Sequence, residues 1–292
     1  MEKIRVLMIN GHVSPDHDPA VAPMLRFLLE STDRFDVTMN EDFYGCGPET
    51  LSQYDLLFMA GGGRKGPEEF PRGWGPTAEK SLLDFVAGGK GIVLYHGAAM
   101  GGRDSQYREE LEKLSGYRYD TEHGGMRKQP KIDFLVKNCE GSHPIMEGCA
   151  PEWLTVQDDL FVNTVQLDPD IQVLCEVWDG EEDYDFRRMP KHRIADFKDL
   201  DIKALPQINT WVPVAWVHRY GKGRVFATKI GHGPDTIRRP NFCAIVVRGS
   251  EWAATGELTV PWLDVSGPRR RNAWPYYKDI IWRDYWDSYC RL

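Results

Sequence analysis

The chain has 292 residues, 41% of them hydrophobic and 27% charged, with a formal net charge of −8. Such a length can bury a sizeable core without disulfide staples, and the acidic balance argues against a nucleic-acid binder, which needs a basic face to displace counterions. No run of about 20 apolar residues is available to span a bilayer, and no basic leader precedes an apolar stretch, so a cytoplasmic protein without membrane partners is expected. The six cysteines form no CxxC pair and match no zinc-finger spacing, which reads as scattered thiols in a reducing compartment.

The first predicted element is Ile4–Ile9, a nearly continuous apolar run that suits a parallel strand buried on both faces. It breaks at Asn10–Gly11–His12. Val21, Met24, Leu25 and Leu28 then recur at helical spacing within Ala20–Glu30. Phe35–Met39 reads as a second strand, and Tyr54–Ala60 as a third that runs into Gly61–Gly62–Gly63. A helical pattern over Thr77–Val86 leads to a fourth strand, Gly91–His96, and Ser105–Leu114 is helical again. Strands alternating with helices predict an α/β fold, a parallel sheet covered on both faces. Ligands of such sheets bind beyond the carboxyl ends of the strands. The segments that follow strands one, three and four should therefore crowd one edge.

The second half changes character. Lys131–Val136, Gln172–Trp178, Val212–Arg219 and Gly223–Ile230 read as strands, the last two joined as a hairpin through Gly221–Lys222–Gly223. Phe242–Ala253 reads as a closing helix. Residues 1–256 are expected to form one domain, with the charged, aperiodic stretch 179–211 as a lid or surface insertion. The extension 257–292 carries Trp274, Tyr276, Tyr277, Trp282, Tyr285 and Trp286. It is too apolar for a free tail and is expected to pack on the body or on a second subunit of a homo-oligomer.

A set of short motifs appears in fixed order: His17–Asp18 before the first helix, His96 after the fourth strand, His123–Gly124, His143–Pro144–Ile145 with Gly148, and Asp158–Asp159–Leu160–Phe161. Pro213–Val214–Ala215–Trp216, the hairpin Tyr220–Gly221–Lys222–Gly223–Arg224–Val225–Phe226 and the pair Gly231–His232 complete it. In this order they resemble the ThuA-like (trehalose-utilisation) family over roughly residues 1–256, with Asp159 standing where the family tends to have Glu. The resemblance implies a flavodoxin-like, class I glutamine-amidotransferase-like three-layer sandwich, its sheet mainly parallel with additional strands in the second half. It also implies a role in the catabolism of trehalose or a related disaccharide, with oxidised 3-keto sugars as candidate substrates.

In the amidotransferase-like fold a strand-to-helix elbow presents a cysteine nucleophile. The equivalent stretch here is Leu94–Tyr95–His96–Gly97–Ala98–Ala99, with neither Cys nor Ser at the elbow. Without a thiol the thioester route to glutamine hydrolysis has no nucleophile. Imidazole exchanges protons near neutral pH, so His96, His123 and His232 are the candidate acid–base residues, with Asp159 orienting one of them. An adjacent acid pair such as Asp158–Asp159 is otherwise commonly solvated. His12, His17, Gly62, Arg64, Trp74, Gly97 and Trp216 are candidates for contacts to a small-molecule carbohydrate, the two tryptophans by stacking on a sugar ring. His96, His123 and His232 are also candidate ligands for a divalent metal such as zinc, although no HExxH spacing is present. Three readings stay open: a sugar-modifying isomerase or lyase, a metal-dependent hydrolase, and a non-catalytic sugar-binding or regulatory module.

Overall fold

Period-2 alternation in apolar strands sets the architecture. Along β1 (Ile4–Ile9), Val6 and Met8 enter one hydrophobic cluster while Leu7 and Ile9 enter another on the opposite face. The structure is a computed structural model that describes residues 2–10, 18–61, 74–100, 105–120, 133–139, 143–156, 158–184 and 201–262. β1 pairs in parallel with β2 (Phe35–Asn40) and β3 (Leu56–Met59), and β3 pairs in parallel with β4 (Gly91–Tyr95). The order of the described nine-stranded sheet is β2-β1-β3-β4-β11-β10-β9-β6-β7. β11 (Gly223–Thr228) lies parallel beside β4, so the first five strands have the doubly wound flavodoxin-like order.

The remaining strands extend the sheet in antiparallel fashion: β6 (Leu135–Asn138), β7 (Glu152–Leu154), β9 (Gln172–Asp179) and β10 (Thr210–Tyr220). β5 (Tyr117–Tyr119) and β8 (Thr164–Gln166) form a separate antiparallel pair. Tyr220 faces Gly223 across the β10–β11 turn, which is the glycine hairpin expected from the sequence. The three-residue strands β5, β7 and β8 are additions to the sequence reading.

Helices cover both faces. α1 (Val21–Glu30), the short α5 (Pro234–Ile237) and α6 (Pro240–Thr255) bury residues in the first cluster. α2 (Pro48–Leu51), α3 (Pro76–Ala87) and α4 (Arg108–Ser115) bury theirs in the second. The result is the three-layer α/β sandwich with a mainly parallel half and additional strands. No helix among the described residues is long and apolar enough to cross a membrane.

The stretch 179–211 begins at the end of β9 and ends at the start of β10; its described parts contain short 3-10 turns at Glu181–Asp183 and Ile202–Ala204. Residues 185–200 lie outside the described residues, as does the aromatic extension from residue 263 onward. The first residues after α6 fold back on the body: Val260 is buried, and its carbonyl accepts from the Arg248 guanidinium, which also donates to the carbonyls of Pro144 and Ile145.

Candidate functional site

Tyr95 and Thr228 are the last registered pair of β4 and β11, so His96 and Lys229 follow side by side at the carboxyl edge of the sheet. His96 opens a 3-10 turn, His96–Met100, directly after the strand. Its φ is +50°, a left-handed conformation at a strand-to-helix elbow. For a side chain bearing a Cβ this costs about 1 kcal/mol and persists only where the surroundings enforce it. His96 Nδ1 lies 2.7 Å from the Lys229 carbonyl oxygen, which can only accept, so Nδ1 carries the hydrogen and neutral His96 has its lone pair at Nε2. The ring meets Phe161 edge-on at 5.0 Å between centroids and His232 at 5.2 Å, nearly perpendicular.

His232 arrives by a turn that requires glycine. Gly231 has φ +113°, and a Cβ there would come within 2.1 Å of the Tyr95 hydroxyl oxygen. That hydroxyl donates to the Gly231 carbonyl at 2.8 Å, tying the segment after β11 to the end of β4.

The two adjacent aspartates come from the segment between β7 and β8, and both are completely buried, which overturns the solvated-pair reading. Their side chains divide the work. Asp158 accepts the backbone N–H groups of Gly231 at 2.9 Å, His232 at 3.0 Å and Asp159 at 2.8 Å. Burial pushes the Asp158 carboxyl above the usual range, and these donors oppose the shift. Asp159 Oδ2 lies 2.8 Å from His232 Nδ1. His96, Asp159 and His232 each offer a ligand-type atom, and these atoms lie within 4.8 Å of one another, the one such group among the described residues.

Lys229 is the residue that sequence reasoning missed. It sits inside an apolar strand pattern and follows Ala227 on the face that carries His96 by period-2 spacing, a signal that was legible. Its ammonium group is fully buried, bonds Thr164 Oγ1 at 2.9 Å and lies 5.1 and 5.6 Å from the ring centroids of Tyr117 and Trp216. Burial lowers its pKa to about 7, against a smaller opposing pull from Asp179.

Of the other expected site residues, Gly97 follows His96 in the elbow turn. Trp216 is a correction: its ring is completely buried, stacks edge-on with Tyr117 at 4.7 Å and donates its N–H to the Ser115 carbonyl, so it offers no face to a sugar. Trp74 is likewise buried, edge-on to Phe43 at 6.0 Å. His143, read as a turn residue, accepts from the Ile145 N–H in its own turn. His12, His17, Gly62, Arg64 and His123 lie outside the described residues.

Comparison with known proteins agrees with this architecture. A family profile described as trehalose utilisation (ThuA) matches residues 5–253. The fold is similar to that of a ThuA-like protein from Parabacteroides merdae, at TM-score 0.62 and 19% identity over 88% of this chain and 92% of that one. A ThuA-like protein from Bacteroides uniformis gives 0.61 at 14% identity over 88% and 93%. A cytoplasmic protein from Salmonella typhimurium gives 0.55 at 12% identity over 86% and 98%. At these identities the structural likeness carries the fold alone. No curated sequence matches significantly. With the profile spanning most of its length, the chain belongs to the ThuA (trehalose utilisation) family.

Proposed function

We propose that this protein is an enzyme of carbohydrate catabolism that moves a proton beside the carbonyl of an oxidised sugar, and that it does not hydrolyse glutamine. The observation that carries the reading is the convergence of His96, Asp159 and His232, all buried, at the carboxyl edge of the sheet. His232, held against the Asp159 carboxylate, has the arrangement of an oriented base. His96 stands beside it with its Nε2 lone pair set by the Lys229 carbonyl. The family's description, trehalose utilisation, supports a substrate drawn from trehalose or a related disaccharide, for which a 3-keto derivative provides an acidified C–H bond. Isomerisation, epimerisation and elimination all begin with removal of that proton. The elbow holds an imidazole where a thiol would be needed for glutamine hydrolysis.

A non-catalytic sugar binder is the second reading. It fares worse on one observation: three buried ionisable groups around a backbone strained at His96 cost stability that a binding module has no reason to carry.

The test is solvent exchange. Keto derivatives of trehalose and related disaccharides are incubated with the protein in D2O, and deuterium incorporation beside the carbonyl is followed by NMR. The wild-type chain is expected to exchange a substrate proton, with His96→Ala and Asp159→Asn slowed on the order of 100-fold or more. Full turnover by His96→Ala on a validated substrate would overturn the assignment, and saturable binding without exchange would favour the binding module.

A further inference from the structure

We infer that His96, Asp159 and His232 form a binding site for a divalent transition-metal cation, zinc or manganese by class; the inference rests on the same site as the proposed function and deepens it. Four features support it. The donor set is two imidazoles and one carboxylate, the combination found in three-ligand catalytic metal sites that keep a position open for substrate. Their ligand-type atoms lie within 4.8 Å of one another. Ligands bound at about 2.1 Å in tetrahedral geometry stand about 3.4 Å apart, so only a small side-chain adjustment separates the present arrangement from a loaded one.

The shell behind the ligands is also that of a metal site. A ligating histidine usually donates its second ring N–H to a carbonyl or carboxylate, which fixes the tautomer and aims the other nitrogen at the metal. His96 has this arrangement through the Lys229 carbonyl at 2.7 Å. Asp158 fixes the backbone of the other two ligands, since it accepts the N–H groups of both His232 and Asp159. Finally, Asp158 and Asp159 place two carboxyl groups side by side with no exposure. The three groups that hydrogen-bond Asp158 from the backbone are neutral amides. A cation between the ligands would add a full counter-charge to the Asp159 carboxylate, which meets the His232 imidazole at 2.8 Å.

Such a cation would give the proposed chemistry an electrophile. A hydroxide held at its open position would take the proton beside the carbonyl and become water, and the cation would offset the negative charge that develops on the sugar. In the loaded site His232 and His96 would be ligands, and the metal-held hydroxide would be the base in place of the His232 imidazole.

The experiment begins with full-length protein purified without chelator. Metal content is read by elemental analysis, and the protein is then stripped and titrated with Zn2+ and with Co2+. One equivalent per chain is expected, with a rise in melting temperature and a visible Co2+ spectrum typical of nitrogen and oxygen ligands. The isosteric Asp159→Asn variant should bind about 100-fold more weakly, and His143→Ala, remote from the cluster, should bind as the wild type does. The Co2+ spectrum of Asp159→Asn, read alongside its thermal melt, separates loss of a ligand from loss of the fold. Substoichiometric uptake after reloading, or uptake and spectrum unchanged in Asp159→Asn, overturns the site. Full proton exchange by the stripped protein on a keto sugar also overturns it while leaving the proposed function standing. Stoichiometric, variant-sensitive metal in a protein that exchanges no sugar proton supports the site and counts against the proposed function instead.

Discussion

His96 combines a functional imidazole with a backbone conformation that a side chain disfavours. If the +50° φ is enforced by the elbow, removing the ring should have two separable consequences. His96→Ala and His96→Gly both lose the contacts with Phe161, His232 and the Lys229 carbonyl. Only glycine also relieves the strain, because it enters the left-handed region at no steric cost. His96→Gly is therefore expected to be more stable than His96→Ala by about 1 kcal/mol, measured by urea denaturation, with both inactive. Equal stabilities would mean that the elbow is not strained. The site was partly legible at this scale. His96 and His232 could be read because each follows an apolar strand beside glycine, and strand ends of a parallel sheet face the ligand crevice. Asp159 could be chosen, but that both aspartates are buried depends on the folding of the segment from β7 to β8 over the sheet edge, which no local pattern encodes. Trp216 misled because aromatic character reads equally as a sugar platform and as a core residue. Its position two residues after Val214 in a central strand favoured the core.

The elements that hold the site are β4 and β11, and α6 is packed unusually close to both. A Cβ at Gly91 would approach the Ala253 carbonyl oxygen to 2.3 Å, and one at Gly249 would meet three ring carbons of Phe226 at 2.6 to 2.7 Å. Glycine inside a helix normally costs about 1 kcal/mol relative to alanine, so propensity alone makes Gly249→Ala stabilising. Packing opposes it: the added methyl would press on the near side of a fully buried ring, where it cannot be relieved by a flexible side-chain end. The expected outcome is a net loss of about 1–3 kcal/mol, read as a lower urea midpoint with an unchanged slope. A gain would show that α6 can move off β11 freely. Long periodic elements such as α3 and α6 were legible from apolar spacing to within a few residues. The strands β5, β7 and β8 were not, because three residues are too few to establish a period. They exist through pairing with partners distant in sequence.

For the whole molecule, the parallel half supplies His96 and His232, the antiparallel half widens the sheet and supplies Asp159 from the segment after β7, and one buried charge ties their junction to pH. Lys229 follows β11, where the two halves meet, and its ammonium group has lost its water. Its pKa is about 7 in the folded protein against 10.5 for the ordinary side chain. Below pH 7 the group is charged in both states, and folding bears the full cost of burying it. Between pH 7 and 10.5 the folded chain carries a neutral amine while the unfolded chain still binds the proton. The unfolded state then holds more protons, and stability rises with pH. Buried thiols act in the opposite direction. The ordinary thiol value is 9.0, and burial raises both Cys243 and Cys175 well above it, so unfolding releases thiol protons once the pH passes about 9. The clean window is therefore pH 6 to 9, and the clean observable is the difference between the wild type and Lys229→Met, which keeps the volume and removes the charge. Lys229→Met is expected to be the more stable protein at pH 6, with a ceiling on the order of 5 kcal/mol from a shift of this size and less by whatever the Thr164 hydrogen bond contributes. The advantage should shrink steadily toward pH 9, because the wild type sheds its buried charge while the variant has none to shed. A difference in melting temperature that stays constant from pH 6 to 9 would show that Lys229 keeps its proton in the folded protein.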